Sequence, residues 1–517
     1  MSGPCVAEHD PAEAERLFTF EALERSYREC RRRKRGTRNA LRFEQDLEAN
    51  LLELAGDLQS GRYQPRRSVC FVTLKPKCRE ISAADFRDRV VHHLLVGKLE
   101  PLWERVFIHD SFASRKGKGT HAAVERLKTF IPKVTRNHTV KAWYAHLDIR
   151  SFFASIDQGK LLDLLARRAP SPTVQWLCDR IVRRDIASDA VLRGPKHLFD
   201  RVPDGKSLLR APPGRGLPIG NHTSQFFANV YLNCLDQFVK HELRAQHYIR
   251  YVDDLILLSE SREELLSWKE DISRFLREKL HLELNGSRSR IAPLSSGVDF
   301  LGYIVHPHHT LVRRRVVRNL TARLSRIEKA LTEERGGYSW VLYRPGESEY
   351  LRAMVASYRA HFLRADTERL RSRIRERFPW LSDALGGPQG KPFWTGRRLF
   401  PCLGAQAHCL DARFPDALLA IGVGRFFEFY GRRAEDVARL ARLKLIRRRR
   451  AGYQGWTRLP VDRLPYLLEA ALRAEIPRIV IAREAEAGAG PVIPRIPAAV
   501  GRIVRNRPRG VLGNLPH

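Results

Sequence analysis

Two adjacent carboxylates, Asp253 and Asp254, interrupt a run that is otherwise apolar and aromatic, with His247-Tyr-Ile-Arg-Tyr251 and Val252 before them and Leu255-Ile-Leu-Leu258 after. Short runs of β-branched, aliphatic and aromatic residues predict two strands of a core-backed hairpin with the Asp pair near its turn. Like charges side by side in such a place raise the folding free energy unless a cation neutralises them, and oxygen ligands suit Mg²⁺. A divalent ion is therefore expected at this turn. The plain alternative is a solvated Asp-rich turn.

A further carboxylate weighs against that alternative. Asp148 closes the apolar segment Ala142-Trp-Tyr-Ala-His-Leu147 and is followed by Ile149-Arg-Ser-Phe-Phe153. A strand ending in Asp adds a third ligand, so Asp148, Asp253 and Asp254, with Ile149 beside them, would hold two Mg²⁺ ions (Mn²⁺ as a substitute) for in-line phosphoryl transfer. Three such carboxylates fit a polymerase palm.

With these residues the chain resembles the reverse transcriptases, in order, over roughly residues 37 to 380. Lys75-Pro-Lys-Cys-Arg-Glu-Ile81 is similar to the fingers motif, which implies that Lys75 and Arg79 neutralise an incoming triphosphate. Asp85-Phe-Arg-Asp-Arg-Val-Val91 and Ser111-Phe-Ala-Ser-Arg-Lys-Gly-Lys-Gly-Thr-His121 resemble the next blocks, which line the template and nucleotide channel. The resemblance makes Asp148 the first catalytic Asp and Asp253 and Asp254 its companions. It puts Phe153 in the place of the steric gate against a 2′-hydroxyl, which implies a DNA product. Phe300, Leu301, Gly302 and Tyr303 resemble a primer grip. The implied fold is α+β: a right-hand polymerase of fingers, palm and helical thumb. The implied partners are an RNA template, a DNA or RNA primer, dNTPs and an RNA:DNA duplex.

One block narrows the likeness. Gly216-Leu-Pro-Ile-Gly-Asn-His-Thr-Ser-Gln225 has Ile219-Gly220 where many reverse transcriptases have Gln-Gly, and Ser224-Gln225 where they have Ser-Pro. This is similar to the enzymes of diversity-generating retroelements, whose copying is error-prone at template adenines and which work with a small basic accessory protein, and to some related bacterial enzymes of unassigned role. An Ile at the nucleotide pocket cannot make the hydrogen bond an amide would, and losing such a contact relaxes geometric discrimination. A departure lies after Asn285. The usual Lys-bearing motif is replaced by Gly286-Ser-Arg-Ser-Arg290. Arginine is a poor proton donor and a good phosphate clamp, so Arg288 is expected to hold the departing phosphates.

Composition agrees with a polyanionic partner. The 517 residues carry 92 Lys plus Arg against 58 Asp plus Glu, a net charge of +34. Any one basic run reads as a solvated surface, but the excess recurs at Arg31 to Arg35, Arg313 to Arg315, Arg447 to Arg450 and Arg502 to Arg509. Nucleic acid is the natural partner, with salt-sensitive binding. Apolar stretches are all broken by charge and no leader is evident, so no membrane partner and a cytoplasmic location are expected. The eight Cys show no CxxC pairing, which argues against a zinc framework, and Cys402, His408 and Cys409 read as ordinary residues. The zinc cluster and maturase-like features of group II intron proteins are not recognisable.

The chain is read as a helical basic segment over 1–36, fingers and palm over 37–312 with a loop-rich stretch at 185–215, a helical thumb over 313–385 and a linker over 386–400. A small α/β domain over 401–485 and a basic flexible tail over 486–517 follow. The α/β domain resembles the N-terminal mismatch-recognition domain of MutS. There a Gly-x-Phe-x-Glu element wedges a ring against a mispaired base, which here implies Gly424, Phe426 and Glu428. Phe426 to Phe429 as a plain core strand is the alternative. Two other roles stay open: an antiviral defence reverse transcriptase, and a non-catalytic nucleic-acid-binding protein.

Overall fold

A computed structural model describes residues 8–32, 37–74, 77–335, 338–342, 347–378, 380–381, 407–408, 410–412, 414, 417–474, 476, 478–482 and 498–503. Lys75, the expected 386–400 linker, and Cys402 and Cys409 fall outside them. The chain divides into two compact units, residues 1–309 and 310–517.

The first unit opens with four helices, α1 (Pro11–Leu17), α2 (Phe20–Arg31), α3 (Arg38–Gln45) and α4 (Leu47–Gln59). A three-stranded sheet follows. Strand β1 (Val69–Thr73) pairs antiparallel with β2 (Arg79–Ala83). Helices α5 (Phe86–Glu104) and α6 (Thr120–Val134) then lead to β3 (Trp143–Asp148). After α7 (Phe152–Ser155), α8 (Gln158–Ala166) and α9 (Pro172–Val182) comes the stretch read as loop-rich. It holds a strand and a helix, β4 (Val191–Arg193) and α10 (Lys196–Asp200). Strand β4 pairs parallel with β1, and Cys70, Ile186 and Phe199 form a small core of their own with Val72, Leu208 and Leu209. The strand is short and the apolar residues of the stretch are scattered, so hydrophobic periodicity does not register them.

Helix α11 (His222–Gln237) runs through the centre of the unit, with Phe226, Phe227, Val230, Tyr231 and Leu235 all buried. Strands β5 (Tyr248–Tyr251) and β6 (Asp254–Ser259) form the expected hairpin, and α12 (Arg262–Leu280) leads to β7 (Arg290–Pro293). The resulting antiparallel sheet has the order β5-β6-β3-β7. Leu147, Leu255 and Leu257 on it are fully buried in the main core. A second hairpin, β8 (Val298–Phe300) and β9 (Tyr303–Val305), ends this unit.

In the second unit, β10 (Thr310–Val312) precedes α13 (Arg314–Leu331). Leu320, Leu324 and Leu331 are the buried residues of α13, spaced so that they share one face of the helix. The stretch read as a helical thumb is not helical throughout. Strands β11 (Thr332–Arg335) and β12 (Tyr338–Leu342) separate α13 from α14 (Glu347–Phe362) and α15 (Glu368–Arg377). Strands β13 (Leu418–Val423) and β14 (Phe426–Tyr430) follow, then α16 (Arg432–Leu440), β15 (Trp456–Pro460), α17 (Leu464–Arg473) and β16 (Arg478–Ala482). The stretch read as a flexible tail contributes β17 (Ala498–Ile503), which pairs with both β12 and β16. Two neighbours satisfy both edges of its backbone, which a reading of tail composition could not foresee. The sheet runs β11-β12-β17-β16-β13-β14-β15. Phe427, Phe429, Val437, Leu459, Leu467 and Ile479 form its core against the two helices.

Candidate active site

Strand pairing alone brings the carboxylates together. Asp148 and Asp254 are Cα partners across the β3–β6 ladder, and Tyr251 partners Asp254 from the other side. That register leaves Val252 and Asp253 as the two turn residues. The N–H of Ile149 donates to Asp253 O at 3.3 Å, which ties the turn to the end of β3. Burial pushes the Asp253 carboxyl up to about 6, and the charges of Asp254 and Asp148 push the same way.

The other two carboxylates have side-chain partners of their own. Asn285 Nδ2 donates to Asp148 Oδ2 at 2.8 Å, and its backbone N–H donates to Asp148 O at 2.7 Å. The Asp148 N–H donates to Ser289 Oγ at 3.3 Å, and Arg288 Nη1 lies 3.8 Å from Asp148 Oδ2. His146 Nε2 is 3.4 Å from Asp254 Oδ1. Among the described residues no three acidic, His or Cys side chains already converge on one point. An all-oxygen set with one carboxyl pushed toward neutrality by burial and by neighbouring carboxylates is chemistry that a hard divalent cation would relieve. The residues present therefore fit such an ion.

Strand β2 approaches the same place. Arg79 is exposed at the start of β2 and acts on the charge of Asp253. Lys77, which sequence reasoning passed over, is largely exposed, and the pKa of its ammonium is lowered by partial desolvation, then by Arg288 and Arg79, against the pull of Asp148 and Asp254. The Ser82 N–H donates to Ile219 O at 2.9 Å, which sets the Ile219-Gly220 block beside β2. Gly220 has φ +124°, and a Cβ there would lie 3.0 Å from Ile81 Cγ2, so glycine is required. The Leu217 N–H donates to Phe153 O at 2.7 Å, joining the half-buried Phe153 to that block. Gln225 is exposed, and Ser114 Oγ donates to its Oε1 at 3.3 Å.

Glu80, next to Arg79, is 4% exposed. Its carboxylate accepts from Ser207 Oγ (2.7 Å) and from the backbone N–H groups of Leu208 (3.0 Å) and Leu209 (3.2 Å). It thereby pins residues 207–209 to β2.

Behind the Asp hairpin is a buried ion pair that no local pattern in the chain singles out. Arg250 and Asp236 are both 0% exposed. Arg250 Nε donates to Asp236 Oδ1 at 2.8 Å and Nη2 to Oδ2 at 2.7 Å. Nη1 donates to Asn229 Oδ1 (3.1 Å) and Val252 O (3.3 Å), and Nη2 also donates to Ser111 Oγ (3.0 Å). Val252 has φ +57°, a left-handed conformation that costs a β-branched residue about 1–3 kcal/mol.

The expected primer-grip residues form the turn of the β8–β9 hairpin. Phe300 and Tyr303 are paired and buried, and Leu301 (φ +50°) and Gly302 (φ +93°) make its two-residue turn. Tyr303 Oη lies 3.2 Å from His121 Nδ1.

In the second unit Phe426 and Glu428 share one face of β14. Phe426 is half-buried with the Arg458 guanidinium 4.7 Å from its ring centroid. Glu428 is 3% exposed. Arg450 Nε (2.8 Å) and Nη2 (2.7 Å) donate to its two oxygens, and Tyr430 Oη donates to it as well. The Glu428 carboxylate, expected from the sequence to contact a base, here has a bidentate arginine partner within the domain, the kind of partner that burial favours.

Residues 72–305 match the family described as reverse transcriptase (RNA-dependent DNA polymerase). The chain is 24% identical over 306 residues to protein YkfC of Escherichia coli, covering 52% of this chain and 73% of that protein. It is 21% identical over 321 residues to the group II intron-encoded protein LtrA of Lactococcus lactis, covering 50% of this chain and 49% of LtrA. Among solved structures it is similar to apo telomerase from Candida tropicalis, with a TM-score of 0.37 and 12% identity over 52% of each chain. The chain thus spans about half the length of LtrA and of the telomerase chain. Among the described residues no helix is long and apolar enough to cross a membrane.

Proposed function

We propose that this chain, whose residues 72–305 are a reverse transcriptase domain, the domain of RNA-dependent DNA polymerases, copies an RNA template into DNA at Asp148, Asp253 and Asp254. The cross-strand pairing of Asp148 with Asp254, with Asp253 in the adjoining turn, carries this reading. Reverse transcriptases use divalent metal ions, and Mg²⁺, or Mn²⁺ in its place, is the ion proposed for these carboxylates. Bound there, the metal supplies Lewis-acid activation of the primer 3′-hydroxyl and neutralises charge at the departing pyrophosphate.

The chain's own groups do the rest. Arg79 and Lys75 draw the triphosphate against the carboxylates, and Arg288 clamps the departing phosphates as a fixed charge. Phe153 excludes a ribose 2′-hydroxyl, favouring dNTPs. Phe300 to Tyr303 grip the primer, and Ile219, Gly220 and Gln225 shape the pocket around the new base pair. Residues 37–312 act as fingers and palm, and the helices of 313–385 as a thumb along the RNA:DNA duplex.

The finer role proposed is error-prone copying of the diversity-generating-retroelement type, supported by an apolar side chain at position 219. Comparing the error spectrum of the wild type with that of Ile219→Gln tests it. Unchanged errors at template adenines would remove the support. The second unit is proposed as a nucleic-acid-binding module akin to the MutS mismatch domain, with Phe426 as its contact. Unchanged affinity of Phe426→Ala for a mismatched duplex would end that reading.

A further inference from the structure

We propose that Arg250 is a positioning residue of the polymerase site: its guanidinium, anchored by Asp236, holds the left-handed Val252 turn that presents Asp253. The inference rests on the reading of Asp148, Asp253 and Asp254 as catalytic.

Every side-chain N–H group of Arg250 has a partner, on four different residues: Asp236, Asn229, Ser111 and Val252. Three of these partners belong to rigid surroundings. Asp236 and Asn229 lie on α11, and the Ser111 segment is tied to β5 by the Phe112 N–H donating to Arg250 O at 3.0 Å and the Arg250 N–H donating to Asp110 O at 2.9 Å. The fourth partner, Val252 O, belongs to the turn itself. The guanidinium therefore bridges the central helix to the one peptide that precedes Asp253.

Stability alone does not call for this arrangement. A fully buried ion pair gains little over well-packed apolar residues of the same volume, since both charges must be desolvated. A valine is also a poor choice for a left-handed turn, where glycine would sit without strain. A strained turn persists only where its surroundings over-determine it. Here the over-determining contact is a planar, always-charged donor that lysine cannot imitate.

The test uses the full-length protein. Arg250→Lys keeps a charge but cannot reach four partners, and the apolar pair Arg250→Met with Asp236→Leu keeps the volume filled without the bridge. In both, kcat is expected to fall by about tenfold or more, with the KM for dNTP changed by less than about twofold, as for a group acting only on the reacting geometry. Adding Val252→Gly, which adopts the turn without help, restores most of that loss. Hydrogen exchange over residues 250–256 rises in the Arg250 variants while exchange in α11 away from position 236 holds. Unchanged kcat, a loss that Val252→Gly leaves in place, or unchanged exchange over 250–256 would each overturn the proposal. If the wild type makes no DNA, the catalytic reading fails by itself, and the exchange data alone decide whether Arg250 holds the turn.

Discussion

Asp148 and Asp254 face each other across the antiparallel ladder of β3 and β6, so the fold forces two carboxylates together before any ligand is considered. Replacing one of the three acids should therefore separate function from stability. Asp253→Asn is predicted to reduce synthesis at least about a thousandfold, about 4 kcal/mol of transition-state stabilisation, while the thermal midpoint stays level or rises. Mg²⁺ should raise the midpoint of the wild type more than that of the variant, because only an ion that binds the folded state stabilises it. Scanning calorimetry with and without Mg²⁺ checks both.

Glu80→Ala would leave the Ser207 hydroxyl and the N–H groups of Leu208 and Leu209 without their acceptor. Buried donors stranded in this way cost about 1–3 kcal/mol. The denaturation midpoint should fall accordingly, and limited proteolysis should open first within residues 200–215. Glu80→Gln, which keeps one acceptor oxygen, should lie between.

His92 gives a signed pH dependence. Burial takes its imidazole down to about 3, with His222, His93 and Arg89 pressing the same way. The folded-state value lies below the unfolded one near 6.5, so the contribution is present above pH 6.5 and is lost as pH falls toward 3. Burial pushes nearby Asp88 up to about 6, which has the opposite sign: its contribution is present below pH 4 and is lost as pH rises through 6. The wild-type profile should be flattened by this opposition. Subtracting the unfolding free energy of His92→Gln should leave a difference that rises by a few kcal/mol between pH 4 and 6.5. A flat difference would contradict it.

In the second unit, Arg450→Ala strands the buried Glu428 carboxylate. The loss should be about 2–3 kcal/mol, at the lower end of buried pairs because the Arg450 head is partly in water. Glu428→Gln should be milder, since it leaves no charge behind. Chemical denaturation followed at Trp456, whose ring lies under Arg450, reads both.

Much of the Asp site was legible because its signals are local. Apolar runs broken by Asp148 and by Asp253-Asp254 give strands, and the Asp pair interrupting one such run marks the turn between β5 and β6. What stayed hidden depends on contacts between distant segments. Glu80 reads as one more charge in a basic loop until residues 207–209 fold onto it, and Arg250 reads as part of a strand until Asp236 arrives from α11. Asn285 was seen only as a landmark. In the second unit the reverse occurred: Phe426 and Glu428 were conspicuous in sequence, but burial beside Arg450 gave Glu428 an internal partner. Strand β17 was missed because a strand inserted between two others is specified by its neighbours' edges as much as by its own residues.

Primer extension tests the account most directly. Purified full-length protein with Mg²⁺ and dNTPs on a primed RNA template of defined sequence is predicted to make complementary DNA, and Asp253→Asn to make none. Synthesis undiminished in Asp253→Asn, or no synthesis by the wild type on any primed RNA, would contradict it.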